Sequence, residues 1–261
     1  MDHITVSNEG GIVTILLNRP EKLNALVGHM RRDLAEVLER ATSDRSARVI
    51  VIKGAGRGFC AGADIEYMAE LMKRDDVEEF ERLLGAGRRV LMAIRQMGKP
   101  VVASIAGPAY GAGFNLALAC DIRIGGESAT FSQSFVKVGL HPDWGGTYFL
   151  PRAVPTNIAC EMFFLGDSIN AEQALRFGIL NRMVPDQDLE AETLKIAERL
   201  RSAPQNSIAA AKRAVYMSGS SDLEEMLQYE TEAQLACFES GDARERVRAF
   251  LEKREPRQSE R

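Results

Sequence analysis

Apolar residues gather in short blocks through the first half of the chain, and between the blocks they recur every three or four positions. Ile4–Val6 and Ile12–Leu17 predict two short strands joined through Asn8-Glu9-Gly10-Gly11, whose glycines supply turn conformations. From Asn24 a helical spacing begins: Leu26, Met30, Leu34, Val37, Leu38 and Ala41 share one face, with Arg31, Arg32, Glu36, Glu39 and Arg40 between them. Val49–Ile52 is uninterruptedly apolar, as expected where both faces of a parallel strand are covered. A glycine-rich loop over 54–64 leads into charged helical sequence to about Gln96. Then come a buried strand at Val101–Ile105, a short helix at Gly111–Ala119 and a strand at Asp121–Ile124. Strands alternating with helices predict an α/β core with parallel sheet and right-handed crossovers.

From about Asp143 the pattern turns almost wholly helical, over Ala171–Phe177, Leu189–Arg201, Ile208–Met217, Leu223–Ala236 and Arg244–Glu252. Several of these helices carry apolar faces that a helical appendage cannot cover by itself, which points to an oligomer surface. There is no internal repeat, and the tail 255–261 reads as disordered.

The chain has 261 residues, 45% hydrophobic and 27% charged, enough for a large core. Against 33 basic side chains stand 37 acidic ones, a net charge of −4, so no cationic excess is available for nucleic acid. The N-terminus shows no basic segment before an apolar stretch, so no signal peptide is expected and a cytoplasmic location is. Residues 101–120 carry no charge over a membrane-spanning length, but Gly107, Pro108, Gly111, Gly113 and Asn115 break that stretch into buried strand, turn and short helix. No membrane partner is expected. Cys60, Cys120, Cys160 and Cys237 are far apart and lack a C-x-x-C pattern or clustered histidines, which suits a reducing compartment and argues against a metal.

Three catalytic patterns fall short. Gly54-x-Gly56 follows a strand, yet the third glycine of a dinucleotide fingerprint falls on Phe59. Ser134-Phe135-Val136-Lys137 has no S-D-N or K-T-G after it, and the three histidines stand apart from any nucleophile elbow. Two segments carry more. Cys60-Ala61-Gly62-Ala63-Asp64 and Tyr110-Gly111-Ala112-Gly113-Phe114-Asn115 each open a helix with small residues, leaving backbone amides bare. If they converge, they offer two donors to one oxyanion; otherwise they only let strand and helix pack closely.

These two segments, with Arg19-Pro20-Glu21-Lys22-Leu23-Asn24-Ala25, Pro100–Gly107, Gly145-Gly146-Thr147 and Leu150-Pro151-Arg152, resemble the enoyl-CoA hydratase/isomerase (crotonase) superfamily over nearly the whole chain. The resemblance implies an α/β spiral of ββα units over 1–200 and a C-terminal helical trimerisation region over 201–261, in a homotrimer or hexamer. It also implies an acyl-CoA thioester substrate, with coenzyme A part of the substrate and no separate cofactor. The thioester oxygen would sit between the amides of Ala63 and Ala112. Lys22, Leu23, Ala25, Ala61, Asp64 and Ile65 would cradle coenzyme A, with Phe250 and Lys253 near its nucleotide end from the same or a neighbouring subunit. Met68, Met72, Phe114, Phe135 and Trp144 suggest an apolar acyl pocket.

Hydratases of the family use two glutamates, and the matching positions here read Asn115 and Phe135, neither able to carry a proton. The remaining acid is Asp143, in Pro142-Asp143-Trp144-Gly145-Gly146, a pattern similar to ring-epoxide and enoyl-CoA isomerases of the family. Asp143 also suits the N-cap of a helix over Gly145–Leu150. The resemblance favours a catalytic Asp143 and an isomerase. Hydratase activity, a nucleophilic Asp143 as in aryl-CoA dehalogenases, and a non-catalytic acyl-CoA- or RNA-binding protein are the alternatives.

Overall fold

The computed structural model describes residues 2–257, so the expectation of a disordered tail falls, from 258 on, outside the described residues. Strands β1 (Ile4–Glu9) and β2 (Ile12–Leu17) form the expected hairpin, with Gly10 and Gly11 both at positive φ. Then follow α1 (Met30–Ser43), β3 (Val49–Gly54), α2 (Ile65–Lys73), α3 (Val77–Gln96), β4 (Val101–Ile105), β5 (Pro108–Tyr110), α4 (Ala112–Ala119), β6 (Ile122–Gly126) and β7 (Thr130–Ser132). The remainder comprises α5 (Gly146–Ala153), α6 (Thr156–Leu165), β8 (Ile169–Asn170), α7 (Ala171–Arg176), β9 (Arg182–Val184), α8 (Leu189–Ser202), α9 (Gln205–Met217), α10 (Leu223–Glu239) and α11 (Gly241–Leu251).

The main sheet runs β1-β2-β3-β4-β6-β9, parallel except for β1, and a small sheet β5-β7-β8 stands beside it. The period of two sorts the strand residues. Val13, Ile15, Leu17, Ile50, Ile52, Val101, Ala103 and Ile105 face the central core with α1, α3 and α4. Ile12, Val49, Val51, Val102 and Ile124 face the other way, onto Leu189, Ile196 and Ala197 of α8. Burial on both faces explains the unbroken apolar runs. The charge-free stretch 101–120 is β4, β5 and α4, and among the described residues no helix is long and apolar enough to cross a membrane.

Three expectations are corrected. The first helix begins at Met30, not Asn24, because Leu23 and Asn24 are left-handed (φ 50° and 59°). The buried Asn24 side chain donates to Ala55 O at 2.9 Å and Gly58 O at 2.7 Å and accepts from Arg19 N at 2.8 Å, work a helical residue could not do. Second, Arg31 is not on a solvated face: it is 5% exposed. Third, the region after Asp143 is not wholly helical, since β8 and β9 close the two sheets, although their two and three residues are too short to show a period.

Helix α8 packs on the sheet to its end, whereas α9 is tied down chiefly by Lys212, which donates to Ile94 O, Lys99 O and Asp121 Oδ2. Beyond it, Leu223, Leu235, Phe238, Val247, Phe250 and Leu251 are each more than half exposed.

Candidate active site

The parallel strands end at the site. After β3, residues 59–64 run as an extended thread between two neighbours: Ala61 N donates to Leu23 O and Leu26 N to Gly62 O, while Cys60 N donates to Pro108 O and Tyr110 N to Cys60 O. Asp64 N is taken by Leu26 O. Ala63 N, facing away from that neighbour, is left over. On the other side Gly111 N is taken by Ser132 O and Asn115 N by Gly111 O, while Ala112 N opens α4 as one of the donors a helix start cannot satisfy internally. Among the described residues neither Ala63 N nor Ala112 N has a hydrogen-bond acceptor.

The two threads meet with no room between them. A methyl added to Gly62, which is left-handed at φ 92°, would come within 2.8 Å of Tyr110 O and 3.5 Å of Ala112 N. One added to Gly113 would stand 2.1 Å from Cys60 O. The two free amides therefore come from one packed junction, as an oxyanion site requires.

One helical turn beyond Ala112, the buried Asn115 accepts from Gln133 Nε2 at 2.8 Å and donates through Nδ2 to Asp143 O at 2.8 Å. Asn115 thus moves no proton but holds the backbone of Asp143. The cap alternative for Asp143 fails, because α5 starts from a left-handed Gly145 with no side-chain cap. Asp143 Oδ1 is buried and has no hydrogen-bond partner. Burial pushes this carboxyl up to about 6, opposed by the buried Arg31 cation and by His141. Trp144 is 5% exposed yet left-handed at φ 47°, a conformation that costs a bulky residue roughly 1–3 kcal/mol. Its indole packs against Gly87 of α3.

A cavity of ≈ 520 Å³ opens beside Asp143. Its wall is Leu84, Arg88, Leu91, Met92 and Arg95 of α3, Asp143–Gly145, Tyr148 and Phe149 of α5, and Tyr216 of α9. Neither alanine is in this wall; Asp143 is in it, and its backbone is tied to Asn115 of α4. Arg95 stacks on the Tyr216 ring at 3.1 Å and near Phe149 at 5.1 Å, giving the far wall an aromatic and cationic character. Sequence reasoning missed these α3 residues, although positions 84, 88, 91 and 95 share a helical face. Tyr216 had no local signal at all.

The other expected residues divide. Lys22 pairs with Glu66 at 2.8 Å, Leu23 O and Ala61 N are bonded to each other, Ala25 O accepts from Arg19 at 3.1 Å, and Ile65 is 59% exposed. They form one rim around the thread. Asp64 is turned inward: its carboxylate caps α2 at Tyr67 N and pairs with Arg19 at 2.6 Å, so it braces the rim and has little left for a ligand. Phe135 lies against Gly111, next to the Ala112 amide. Phe114 is not a pocket residue: with all of α4 buried, its fully buried ring packs on Phe131 at 5.2 Å. Phe250 and Lys253 are exposed, and the chain end that carries them reaches Arg48, at the opposite end of β3 from the thread. Their own chain does not bring them to the rim.

The sequence model of the family described as "Enoyl-CoA hydratase/isomerase" matches residues 7–261. The chain belongs to this family. A Rhodobacter capsulatus protein named "Probable enoyl-CoA hydratase" is 42% identical over 249 residues, 94% of this chain and 93% of its own. The 1,2-epoxyphenylacetyl-CoA isomerase of Escherichia coli is 36% identical over 98% of both chains. The crystal structure of an enoyl-CoA hydratase from Bacillus anthracis superposes with a TM-score of 0.92 at 32% identity, covering 98% of both chains. The fold is thus that of the crotonase superfamily, with its helices at the C-terminal end. Among the described residues no group of three or more His, Cys, Asp or Glu is placed to hold a metal.

Proposed function

We propose that this family member is an isomerase of enoyl- or aryl-derived CoA thioesters, with Asp143 as its one acid/base. The observation that carries the reading is the buried, unpartnered Oδ1 of Asp143 with its carboxyl near 6, on a backbone held by Asn115, which lies one helical turn from Ala112. The Asp143 carboxylate takes a proton from an acyl carbon, and the electron pair spreads to the thioester oxygen, held by the N–H groups of Ala63 and Ala112. Asp143 returns a proton to another carbon as the charge collapses, after the one it carries has had the chance to exchange with solvent, so a double bond moves and the composition is unchanged. Lys22, Leu23, Ala25, Ala61 and Ile65 form the coenzyme A rim, with Phe250 and Lys253 reaching it from a neighbouring subunit of a homotrimer or hexamer. The exposed apolar residues of α10 and α11 support that assembly.

Hydratase activity is the second reading, favoured by the names of most of the similar proteins and opposed by the amide and phenyl groups of Asn115 and Phe135. The test offers 2-enoyl- and 3-enoyl-CoA thioesters in D₂O and follows products by NMR. A shifted double bond with exchange at the acyl carbons supports the isomerase, a 3-hydroxyacyl product the hydratase, and exchange undiminished in folded Asp143→Asn would show that the base lies elsewhere.

A further inference from the structure

Arg88 and Arg95 share one face of α3 with Leu84 and Leu91, and both enter the wall of the cavity that holds Asp143. The fold uses neither guanidinium as it uses its other half-buried cations. Arg123 donates to Leu118 O, Cys120 O and Ile179 O, Lys212 to two carbonyls and Asp121, and Arg19 to Ala25 O and Asp64. Among the described residues Arg88 and Arg95 form no ion pair and donate to no carbonyl or carboxylate. Arg88 is exposed, but Arg95 is half-buried, and burial pulls its guanidinium below its usual pKa. Asp121 acts on Arg95 electrostatically, yet its own oxygens are taken by Val101 N, Lys212 and Tyr216. The Tyr216 ring covers one face of the Arg95 guanidinium at 3.1 Å, and stacking uses the face while leaving the N–H edge for hydrogen bonds. No nitrogen of Arg95 is among the buried atoms without a partner, so that edge is reachable.

The contacts of the Asp143–Gly145 turn with α3 place these cations relative to the candidate base. Trp144 packs on Gly87, and a methyl added to Gly145 would stand 3.4 Å from Leu91 Cδ1. Arg88 adjoins the first contact, whereas Arg95 lies one turn beyond the second, about 6 Å farther along the helix. A plain alkyl chain in the cavity would cover Leu84, Leu91, Met92 and Phe149 and leave the guanidinium edge bare. A carboxylate accepts two parallel N–H bonds from such an edge, and at the Arg95 end it is spaced from the charge of Asp143 by the carbons between. Resting on the thioester reading above, we propose that the acyl group taken by this cavity ends in a second carboxylate held by Arg95 and Arg88, so that the substrates are coenzyme A monothioesters of dicarboxylic acids. Arg95 and Arg88 are then specificity-determining residues, placed at the end of the acyl group remote from the thioester.

The test compares glutaryl-, adipyl- and pimelyl-CoA by calorimetry with pentanoyl-, hexanoyl- and heptanoyl-CoA, chains of the same lengths that end in a methyl group. Wild type binds at least one dicarboxylic thioester about tenfold more tightly than its methyl-ended counterpart, the strength of a hydrogen bond between charged groups. Methyl esterification of the free carboxyl abolishes that gain. Arg95→Gln brings the ratio to about one, and Arg95→Lys, which keeps a charge but loses the fork, retains part of it. Arg88→Glu changes an exposed side chain with no partner to lose, so it reports even if Arg95→Gln does not fold, and it lowers the ratio severalfold by placing a negative charge in the same wall. A dicarboxylic thioester bound no better than its counterpart at any of the three lengths, or a preference unchanged in whichever of these variants fold, overturns the proposal and leaves the thioester reading standing. Failure of wild type to bind any of the six thioesters sinks the thioester reading itself.

Discussion

Asp121 and Asp143 are two half-buried aspartates in one molecule, and they are treated in opposite ways. Asp121 is saturated: Oδ2 accepts from Val101 N at 2.7 Å and Lys212 Nζ at 2.8 Å, and Oδ1 accepts from Tyr216 OH. It fastens α9 to the start of β4. Asp143 is held only by its backbone, and one carboxylate oxygen faces no donor. A carboxylate whose bonds are all made stabilises a fold, whereas one left incomplete at a cavity wall is available for chemistry.

The largest expected effect breaks the comparison on the Asp143 side. Asp143→Asn should lower isomerisation and proton exchange by about 10²- to 10⁴-fold, the range for loss of a general base, while melting at or above the wild-type temperature. Turnover assays with a melting curve on the same sample check it; a large loss of stability would place Asp143 with Asp121. Next, Ala112→Pro should cost about 10²- to 10³-fold in kcat, as expected for one oxyanion donor, since proline suits the first position of α4 and removes only the N–H. The mutant's turnover with helix content intact by circular dichroism is the measurement.

On the other side, Asp121→Ala should destabilise the protein by about 3 kcal/mol, because Lys212 stays buried without its counter-ion. Urea unfolding reads this, and kcat per folded molecule should change far less than in Asp143→Asn. The smallest effect is that of pH. Because Asp143 titrates near 6, above the ordinary 3.8, its protonated form favours the folded state. That contribution is fully present below about pH 4 and is lost as pH rises through 6. Activity runs the other way, rising with a midpoint near pH 6 as the base form appears. Melting temperatures from pH 4 to 7 should therefore fall in wild type relative to Asp143→Asn.

Much of this was legible in the chain. The buried strands announced themselves as continuous Val and Ile, and the small residues at 61–63 and 111–113 marked a tight junction, where Gly62 and Gly113 have no room for a side chain. Asn24 misled, since its apolar neighbours have helical spacing while its amide does the work of a loop. Arg31 misled for a related reason: a charge between apolar positions reads as solvated, and only the tertiary structure shows it buried. The Arg95–Tyr216 wall could not be read, because it joins helices more than a hundred residues apart.

The junction at Gly62 and Gly113 has one further consequence. Neither residue offers a side chain to a ligand, yet each is intolerant of a single carbon. The close approach of the two threads that carry the free amides thus depends on two positions 51 residues apart in sequence. Drift at either one would splay the two N–H groups without touching Asp143. The cavity beside Asp143, walled mostly by ordinary side chains of α3 and α5, is free to change shape around that fixed junction.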